Sequence, residues 1–336
     1  MPALSVIENL ASECTQQTIR FIDSRCLRRR LNSCECDNCL SCCPADAIIV
    51  SNRQIKLDSG KCTGCMLCST VCPNDAFEYP VSDIEKSLFA KEETELVVIS
   101  CSRQTQIHQE EQVVPCLGSL SLEHLLALGL AGSSETAFNI LACENCENRT
   151  AADFFLNMLR YFQEQAGDLL KTKFTILTEP EQITSIHNEN RRSFLSSLKS
   201  NLLTAISSQF SYSSVDTDEI VKKSRRIPKR VDLKRNLIEH VDDARIQLIS
   251  SLCDFHLAVN ENCSLCPLCT GICPTGAIKI ERSDGEKKIV VDHTLCSGCG
   301  LCVSFCKNEA IKLHYPSRSS VIKDKRNQDK CLVASG

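Results

Sequence analysis

The stretch of sequence that decides the fold is CSLCPLCTGICP, residues 263–274, followed by CSGCGLCVSFC, residues 296–306. Both read C-x-x-C-x-x-C-x-x-x-C. The same spacing occurs far upstream in CTGCMLCSTVCP, residues 62–73, and in part in CECDNCLSCCP, residues 34–44. The chain therefore carries a cysteine-rich unit twice, which indicates an internal repeat.

Cysteine dominates the composition, with 25 residues among 336. At roughly 150 residues per domain, the length suggests about two domains. Hydrophobic residues make up 43% of the chain, which is enough to build the cores of these domains. The 38 basic and 42 acidic side chains leave a net charge of −4. The molecule as a whole therefore lacks the basic character of nucleic-acid-binding proteins.

The sequence contains neither a long apolar run nor a signal-peptide pattern at its start. We therefore expect a cytoplasmic protein without a transmembrane segment. Cysteines in a reducing compartment stay as thiols, so metal ligation is a better expectation than a set of disulfides.

The cysteine spacing suits [4Fe–4S] clusters. A C-x-x-C-x-x-C loop supplies three thiolates to one cluster, and where two clusters share a fold the fourth cysteine of each motif ligates the other cluster. This rule predicts four clusters. Site 1 comprises Cys263, Cys266, Cys269 and Cys306, and site 2 comprises Cys296, Cys299, Cys302 and Cys273. Site 3 comprises Cys36, Cys39, Cys72 and one further cysteine, and site 4 comprises Cys62, Cys65, Cys68 and Cys43.

Site 3 is irregular, because Ser33 stands where its first cysteine should be. We place Cys34, one residue further on, in the ligand set. Cys26 is as good a candidate, and Cys42 would serve in a shifted register. Structural zinc is the alternative reading of C-x-x-C pairs, but complete runs at this spacing favour iron–sulfur clusters.

Residues 26–80 and 258–315 resemble bacterial-type dicluster ferredoxin domains. The resemblance rests on the cysteine motifs and on the strand pairs between them. These pairs are AIIV with QIKLD and AIKI with IVVD, the second joined by a turn at Asp284-Gly285. The resemblance implies a ferredoxin-like fold with two hairpins in each copy. The second copy departs from the family at Lys307, where a proline usually follows the cysteine.

The middle of the chain reads differently. From about residue 94, apolar runs alternate with helical segments, which predicts a small parallel α/β module. The strands are expected in ELVVIS, QVVPCLG, AFNILACENC and KFTILTEP, and the helices in SLEHLLALGLAG and AADFFLNMLRYFQEQAG. Leucine and phenylalanine recur in the helices at helical spacing, as expected of core residues.

Four cysteines follow the strands of this module: Cys101, Cys116, Cys143 and Cys146. Such folds bind ligands at the carboxyl ends of their strands. The four thiols are therefore expected to hold a [2Fe–2S] cluster or a zinc ion, or to include a Cys143–Cys146 redox dithiol. Residues 94–165 resemble the small iron–sulfur subunit of methyl-viologen-reducing hydrogenases. That resemblance implies all four as ligands of a [2Fe–2S] cluster that passes electrons to a heterodisulfide reductase.

The predicted architecture combines α+β and α/β parts: two ferredoxin-like dicluster domains around a central parallel α/β module, with a helical connector. The segments are an N-terminal helical segment, 1–25; a dicluster domain, 26–82; the module, 90–185; the connector, 190–257; a second dicluster domain, 258–316; and a flexible tail, 317–336. The connector carries a basic stretch from Lys222 to Arg235. A solvated linker and a docking site for an acidic redox partner are its two interpretations.

These features favour an electron-transfer protein or subunit over an enzyme. No G-x-G-x-x-G follows a strand, and no other organic cofactor motif occurs. The expected partner is an oxidoreductase subunit of hydrogenase, dehydrogenase or heterodisulfide-reductase type. The alternatives are a reductase that uses Cys143 and Cys146 on a disulfide or small substrate, and an iron–sulfur redox sensor.

Overall fold

A computed structural model describes residues 19–52, 54–79, 96–104, 111–132, 135–183, 225–283 and 285–316. The helices of these residues are α1 (Leu27–Arg30), α2 (Asn38–Cys42), α3 (Leu67–Val71), α4 (Leu122–Ala131), α5 (Arg149–Ala166), α6 (Lys229–Ile238), α7 (Asp243–Cys253), α8 (Leu268–Ile272) and α9 (Leu301–Phe305). The strands are β1 (Arg20–Phe21), β2 (Ile48–Ser51), β3 (Gln54–Leu57), β4 (Phe77–Glu78), β5 (Leu96–Cys101), β6 (Gln112–Val114), β7 (Glu135–Asn139), β8 (Lys173–Leu177), β9 (His256–Val259), β10 (Ile278–Ser283), β11 (Glu286–Val291) and β12 (Ile311–His314). None of these helices is long and apolar enough to cross a membrane.

Each cysteine-rich unit contains two antiparallel strand pairs and two one-turn helices that carry motif cysteines, and the N-terminal unit also contains α1. In the N-terminal unit β2 pairs with β3 and β1 with β4, and in the C-terminal unit β10 pairs with β11 and β9 with β12. The helices α2, α3, α8 and α9 each carry the third cysteine of one motif. The predicted strand pairs are confirmed, and Gly285, with φ +84°, lies in the turn between β10 and β11.

The central unit is built around a four-stranded parallel sheet in the order β6-β5-β7-β8. Helix α4 connects β6 to β7, and α5 connects β7 to β8. The predicted small parallel sheet is therefore confirmed. Its strand order places the carboxyl ends of β6, β5 and β7 side by side, where the cysteines of this unit follow the strands.

The main apolar core lies between this sheet and its helices. Phe138, Phe155 and Phe162 are fully buried, and the rings of Phe138 and Phe155 meet edge to face with 4.8 Å between centroids. Complete burial of one such side chain stabilises a fold by about 1.5–3 kcal/mol. Helix α4 is buried along nearly its whole length because both α5 and α6 pack against it.

The described part of the connector belongs to this core. Leu237, Leu248 and Leu252 are buried in the same cluster as the residues of α4 and α5. Positions 190–224 of the connector, and the tail from 317, lie outside the described residues.

The N-terminal segment differs from expectation where it is described. Residues 19–25 form strand β1 and the 3-10 turn Asp23–Arg25 instead of an α-helix. The reason is tertiary: Phe21 pairs with Phe77 across the β1–β4 ladder, and their rings lie 5.1 Å apart. Residues 1–18 of the predicted helical segment lie outside the described residues.

Candidate iron–sulfur sites

Two cavities in the C-terminal unit are lined by cysteines from both of its motifs. The first has a volume of about 230 Å³, and its cysteines are Cys263, Cys266, Cys269 and Cys306. The second is more closed, about 20 Å³, and its cysteines are Cys273, Cys296, Cys299 and Cys302. In each cavity three cysteines of one motif face the fourth cysteine of the other, which is the crossed arrangement of sites 1 and 2.

The backbone turns sharply before the second cysteine of three motifs. Gly64, Leu265 and Gly298 have φ of +70°, +53° and +70°. A left-handed residue at this position curls the chain so that successive N–H groups point into the concave side of the loop, which favours negative charge there. The N–H of Leu265 donates to Cys263 Sγ at 3.4 Å.

The fourth cysteine of three motifs accepts a hydrogen bond from the backbone N–H four residues further on. The donors are Ala47 to Cys43 at 3.3 Å, Ala76 to Cys72 at 3.2 Å and Ala310 to Cys306 at 3.3 Å. Such bonds stabilise a thiolate over a thiol. Cys42, the neighbour of Cys43, instead donates its S–H to the carbonyl of Cys39 at 3.5 Å.

The cysteines of the N-terminal unit are crowded in the same crossed way. Burial raises the pKa of Cys36 and of Cys39 to about 12, and the nearby Cys72 also raises both. Burial raises the pKa of Cys65 as well, and there Cys43 is the first of the neighbouring thiols that add to it. In a metal-free protein such thiols resist ionisation together, whereas iron would neutralise their charge.

The four cysteines of the central unit lie at the carboxyl ends of neighbouring parallel strands. Cys101 ends β5, Cys116 follows β6, and Cys143 and Cys146 follow β7. Burial raises the pKa of Cys116 and of Cys143 to about 12, and the nearby Cys101 adds to both. Cys146 lies near Cys101 and Cys143. The structure thus brings together the four thiols that the sequence singles out, here called the central site.

In the part of the chain that the structure describes, no three His, Cys, Asp or Glu side chains converge closely enough to hold one metal ion. The four thiolates of a [4Fe–4S] cluster each bind a different iron atom, so they do not need to converge on a single point.

The central site contacts the N-terminal unit directly. Gly118 has no room for a side chain, because a Cβ there would lie 2.5 Å from the carbonyl oxygen of Cys65. Arg103 donates to the carbonyl of Thr63 at 2.6 Å. Cys65 also lies close enough to Cys116 to raise its pKa. Site 4 and the central site are therefore neighbours.

The start of helix α6 joins the two cysteine-rich units. Arg230 forks between them, with Nη1 donating to the carbonyl of Thr70 and Nη2 to the carbonyl of Ser297, both at 3.3 Å. Thr70 lies two residues before Cys72, and Ser297 directly follows Cys296. One guanidinium therefore holds helix α3, which ends just before Cys72 of site 3, next to a loop of site 2.

Other residues of the basic stretch make contacts of the same kind. Arg226 pairs with Glu78 at 3.0 Å, and the backbone N–H of Lys229 donates to Asp75 Oδ2 at 2.6 Å. Although burial opposes it, the hydrogen bond and charge of Arg25 and the charge of Arg226 lower the pKa of Glu78. A solvated linker is thus the wrong interpretation for residues 226–230, because their polar groups bind the N-terminal unit.

Tyr315 lies at the same junction. Its ring meets that of Phe255 edge to face, with 5.8 Å between centroids. The side chain is 55% exposed, yet burial of the remainder raises the pKa of its phenol, and the nearby thiols of Cys299 and Cys36 add to this. Tyr315 is therefore near site 2 of one unit and site 3 of the other.

Comparison with known families agrees with this geometry. Residues 55–78 match the 4Fe-4S binding domain, and residues 262–310 match the 4Fe-4S dicluster domain. The chain contains two 4Fe-4S ferredoxin-type domains. The searches of curated proteins and of solved structures returned no match. Neither family match reaches the central unit, so its likeness to a hydrogenase subunit rests on the sequence resemblance alone.

Sequence reasoning did not identify Arg230, Tyr315 or Gly118 as residues of the sites. Arg230 appeared only as one charge among several, and Gly118 as part of a strand end. Their partners lie far away in the chain: Arg230 contacts a residue 160 positions earlier. No local spacing rule in the sequence marks these three residues.

Proposed function

We propose that this chain is a multi-cluster iron–sulfur electron-transfer protein or subunit that relays electrons between a donor and a partner oxidoreductase. The observation that carries the proposal is the pair of cavities in the C-terminal unit, each lined by three cysteines of one motif and the fourth of the other. When bound, a [4Fe–4S] cluster accepts and releases one electron at a potential set by nearby charge, hydrogen bonds and burial.

Four [4Fe–4S] clusters are proposed, two in each cysteine-rich unit. The donor set fits them, because each site offers the soft thiol ligands that iron–sulfur clusters require, although Cys266 of site 1 is exposed. The chain also supplies tuning groups. Backbone N–H groups donate to Cys43, Cys72 and Cys306. Burial raises the pKa of Cys72, but the charge of Arg230 acts in the opposite direction. Both kinds of group favour the more negative, reduced state of a cluster.

The contacts between units support a single row of sites. Sites 1 and 2 share the C-terminal unit, and sites 3 and 4 share the N-terminal unit. Arg230 and Tyr315 join site 2 to site 3, and the close approach of Gly118 to the carbonyl of Cys65 joins site 4 to the central site. Electrons would therefore enter or leave at site 1 and at the central site, the two ends of the row.

The central site is proposed as a fifth centre of [2Fe–2S] type, on the resemblance to the hydrogenase subunit. The same resemblance suggests a partner of hydrogenase, dehydrogenase or heterodisulfide-reductase type. Burial raises the pKa of Cys143 to about 12. Because the thiolate is the nucleophile in thiol–disulfide exchange, the reductase alternative requires one thiol of the pair Cys143 and Cys146 to ionise.

The proposal is tested by measuring iron, acid-labile sulfide and zinc per chain in anaerobically purified protein, followed by EPR after reduction with dithionite. We expect about 16 iron atoms, or about 18 with a [2Fe–2S] centre, and magnetically coupled S = ½ signals. About 16 iron atoms with one zinc would make the central site structural. Iron near 8 would mean that one unit binds no clusters, and the proposal of one relay through both units would fail.

A further inference from the structure

The first ligand of site 3 is unassigned, but the corresponding site of the C-terminal unit has all four of its cysteines assigned. Site 1 occupies the corresponding place in the C-terminal unit, and its first cysteine, Cys263, follows strand β9. If both units share one topology, the first ligand of site 3 should follow strand β1. The positions of Cys26, Cys34 and Cys42 relative to β1 therefore distinguish the three candidates.

The strand pairs of the two units align residue by residue. Phe77, five residues after Cys72, pairs with Phe21, and Ile311, five residues after Cys306, pairs with Val259. The next hydrogen bond is equivalent as well. The N–H of Ile22 donates to the carbonyl of Ala76 at 2.7 Å, and the N–H of Asn260 donates to the carbonyl of Ala310 at 2.9 Å.

A tight turn follows in both units and ends at a cysteine. Cys263 lies three residues after Asn260 and donates its N–H to the Asn260 carbonyl at 3.2 Å. Cys26 lies four residues after Ile22 and donates its N–H to the carbonyl of Asp23 at 3.0 Å. Cys26 thus occupies the topological position of Cys263, one residue further along.

We propose that Cys26 completes site 3 together with Cys36, Cys39 and Cys72, a proposal that rests on the proposed iron–sulfur function. Residues 27–35 are then an insertion between the first and second ligands. The insertion is pinned at its far end, because Arg28 donates from Nε to the carbonyl of Cys36 at 2.5 Å. Its first residue, Leu27, is buried. The two ligands are therefore held together although ten positions separate them.

The residue before Cys26 is fixed to the loop that follows Cys72. Asn74 donates from Nδ2 to the carbonyl of Arg25 at 2.6 Å, and Arg25 donates to the carbonyl of Asp75 at 3.0 Å. Cys26 packs against the buried cluster that includes Cys39 and Cys72. Cys26 therefore lies beside both the loop that follows Cys72 and the buried cluster that contains Cys39.

The other candidates fit the site less well. Cys34 lies within the insertion, in a turn that is closed by a hydrogen bond of 3.0 Å from its N–H to the carbonyl of Leu31. Only one residue separates it from Cys36, whereas two separate the first and second cysteines of the complete motifs. Cys42 donates its S–H to the carbonyl of Cys39. This hydrogen bond needs a protonated thiol, whereas a metal ligand is a thiolate.

The test compares Cys26→Ser, Cys34→Ser and Cys42→Ser in the full chain, purified anaerobically. Cys26→Ser should lose about four iron atoms per chain, while the EPR signals of the remaining clusters persist. Cys34→Ser and Cys42→Ser should keep the wild-type iron content. Full iron in Cys26→Ser, or loss of one cluster in Cys34→Ser, would overturn the proposal.

A second readout does not depend on a variant that folds. Iodoacetamide treatment of the wild-type holoprotein, followed by peptide mass spectrometry, should modify Cys34 and spare Cys26. Removal of the clusters by a chelator should then make Cys26 reactive. Equal modification of Cys26 with and without clusters would contradict ligation. Wild-type iron near 12 together with alkylation of Cys26 in the holoprotein would show that site 3 is empty: this result would overturn the role of Cys26 but leave the other three clusters and the electron-transfer function standing.

Discussion

At the scale of single residues, two glycines of the motif CSGCGLC have the same backbone conformation and different surroundings. Gly298 and Gly300 have φ of +70° and +72°. A Cβ at Gly298 would lie 2.2 Å from the ring of Phe255, whereas a Cβ at Gly300 would meet nothing within 4 Å. Both positions favour glycine by conformation, but only Gly298 also lacks space.

Gly298→Ala should therefore disrupt site 2, and Gly300→Ala should serve as its matched control. The control carries only the cost of a left-handed alanine, about 1–2 kcal/mol, and should keep full iron content. Gly298→Ala must also displace Phe255 and should lose about four iron atoms per chain. Iron analysis and thermal denaturation measure both effects. Equal iron loss in the two variants would show that strain alone, and not the Phe255 contact, controls the loop.

The crossed ligation of sites 1 and 2 is also tested by single residues. Cys306→Ser should expose the cysteines of the 263–269 loop to alkylation, because Cys306 shares their cavity. Cys273→Ser should expose those of the 296–302 loop instead. Each variant is the control for the other, and peptide mass spectrometry after iodoacetamide treatment reads both. The reverse pattern would mean that each motif ligates its own cluster.

At the scale of elements, helices α6 and α7 join the central core to the C-terminal unit through a buried ion pair. Lys234 Nζ and Asp254 Oδ1 lie 2.6 Å apart, and the two side chains are 2% and 7% exposed. Ser250 donates a further hydrogen bond to Asp254 at 2.8 Å. The pair lies near Cys296, since both charges act on the pKa of that thiol.

Lys234→Met should destabilise the fold by about 3–5 kcal/mol, because it leaves the carboxylate of Asp254 buried without its partner. The exposed pair of Lys173 and Glu135, 3.1 Å apart, provides the control. Lys173→Met should change the free energy of unfolding by no more than about 1 kcal/mol. Chemical denaturation measures both. Replacing Lys234 and Asp254 together by apolar residues should recover most of the lost stability. If it does not, the loss comes from altered packing and not from the unpaired carboxylate.

At the scale of the whole molecule, a few side chains convert three units into one row of sites. Arg230 holds sites 2 and 3 together through two carbonyls. Gly118 allows the central unit to approach Cys65. Neither Arg230 nor Gly118 belongs to a cysteine motif. In the proposed relay, the distance between clusters of neighbouring units would therefore be set by residues that bind no iron.

Arg230→Met should weaken the magnetic interaction between the clusters of the two units and lower the reduction potential of site 3, since a positive charge near Cys72 is removed. Arg230→Lys keeps the charge but cannot fork to two carbonyls, so it should preserve the potential and still weaken the interaction. EPR relaxation measurements and redox titration separate the two effects.

Arg160→Met is the control for this series, because Arg160 is exposed and donates to Asn157 within its own helix α5 at 3.3 Å. It should leave both readouts at wild-type values. Unchanged coupling in Arg230→Met and Arg230→Lys alike would refute the role of Arg230 as the link between sites 2 and 3.

Much of this architecture follows from the sequence because the interactions that produce it are local. Cysteines three residues apart reach one cluster from a single loop, so their spacing alone predicts the ligand loops. Alternating apolar residues predict the pairs β2–β3 and β10–β11, and the strand and helix pattern predicts the central parallel sheet. The four central cysteines were expected together because parallel strands end at one edge.

Only the tertiary structure decided how these parts meet. The β1–β4 ladder aligns Cys26 with Cys263 across two units, whereas the sequence left Cys26, Cys34 and Cys42 as alternatives. The basic stretch turned out to bind the chain itself, which its charge alone did not show. Both outcomes depend on contacts between residues far apart in the chain, and no local spacing rule encodes such contacts, since they exist only once the units pack.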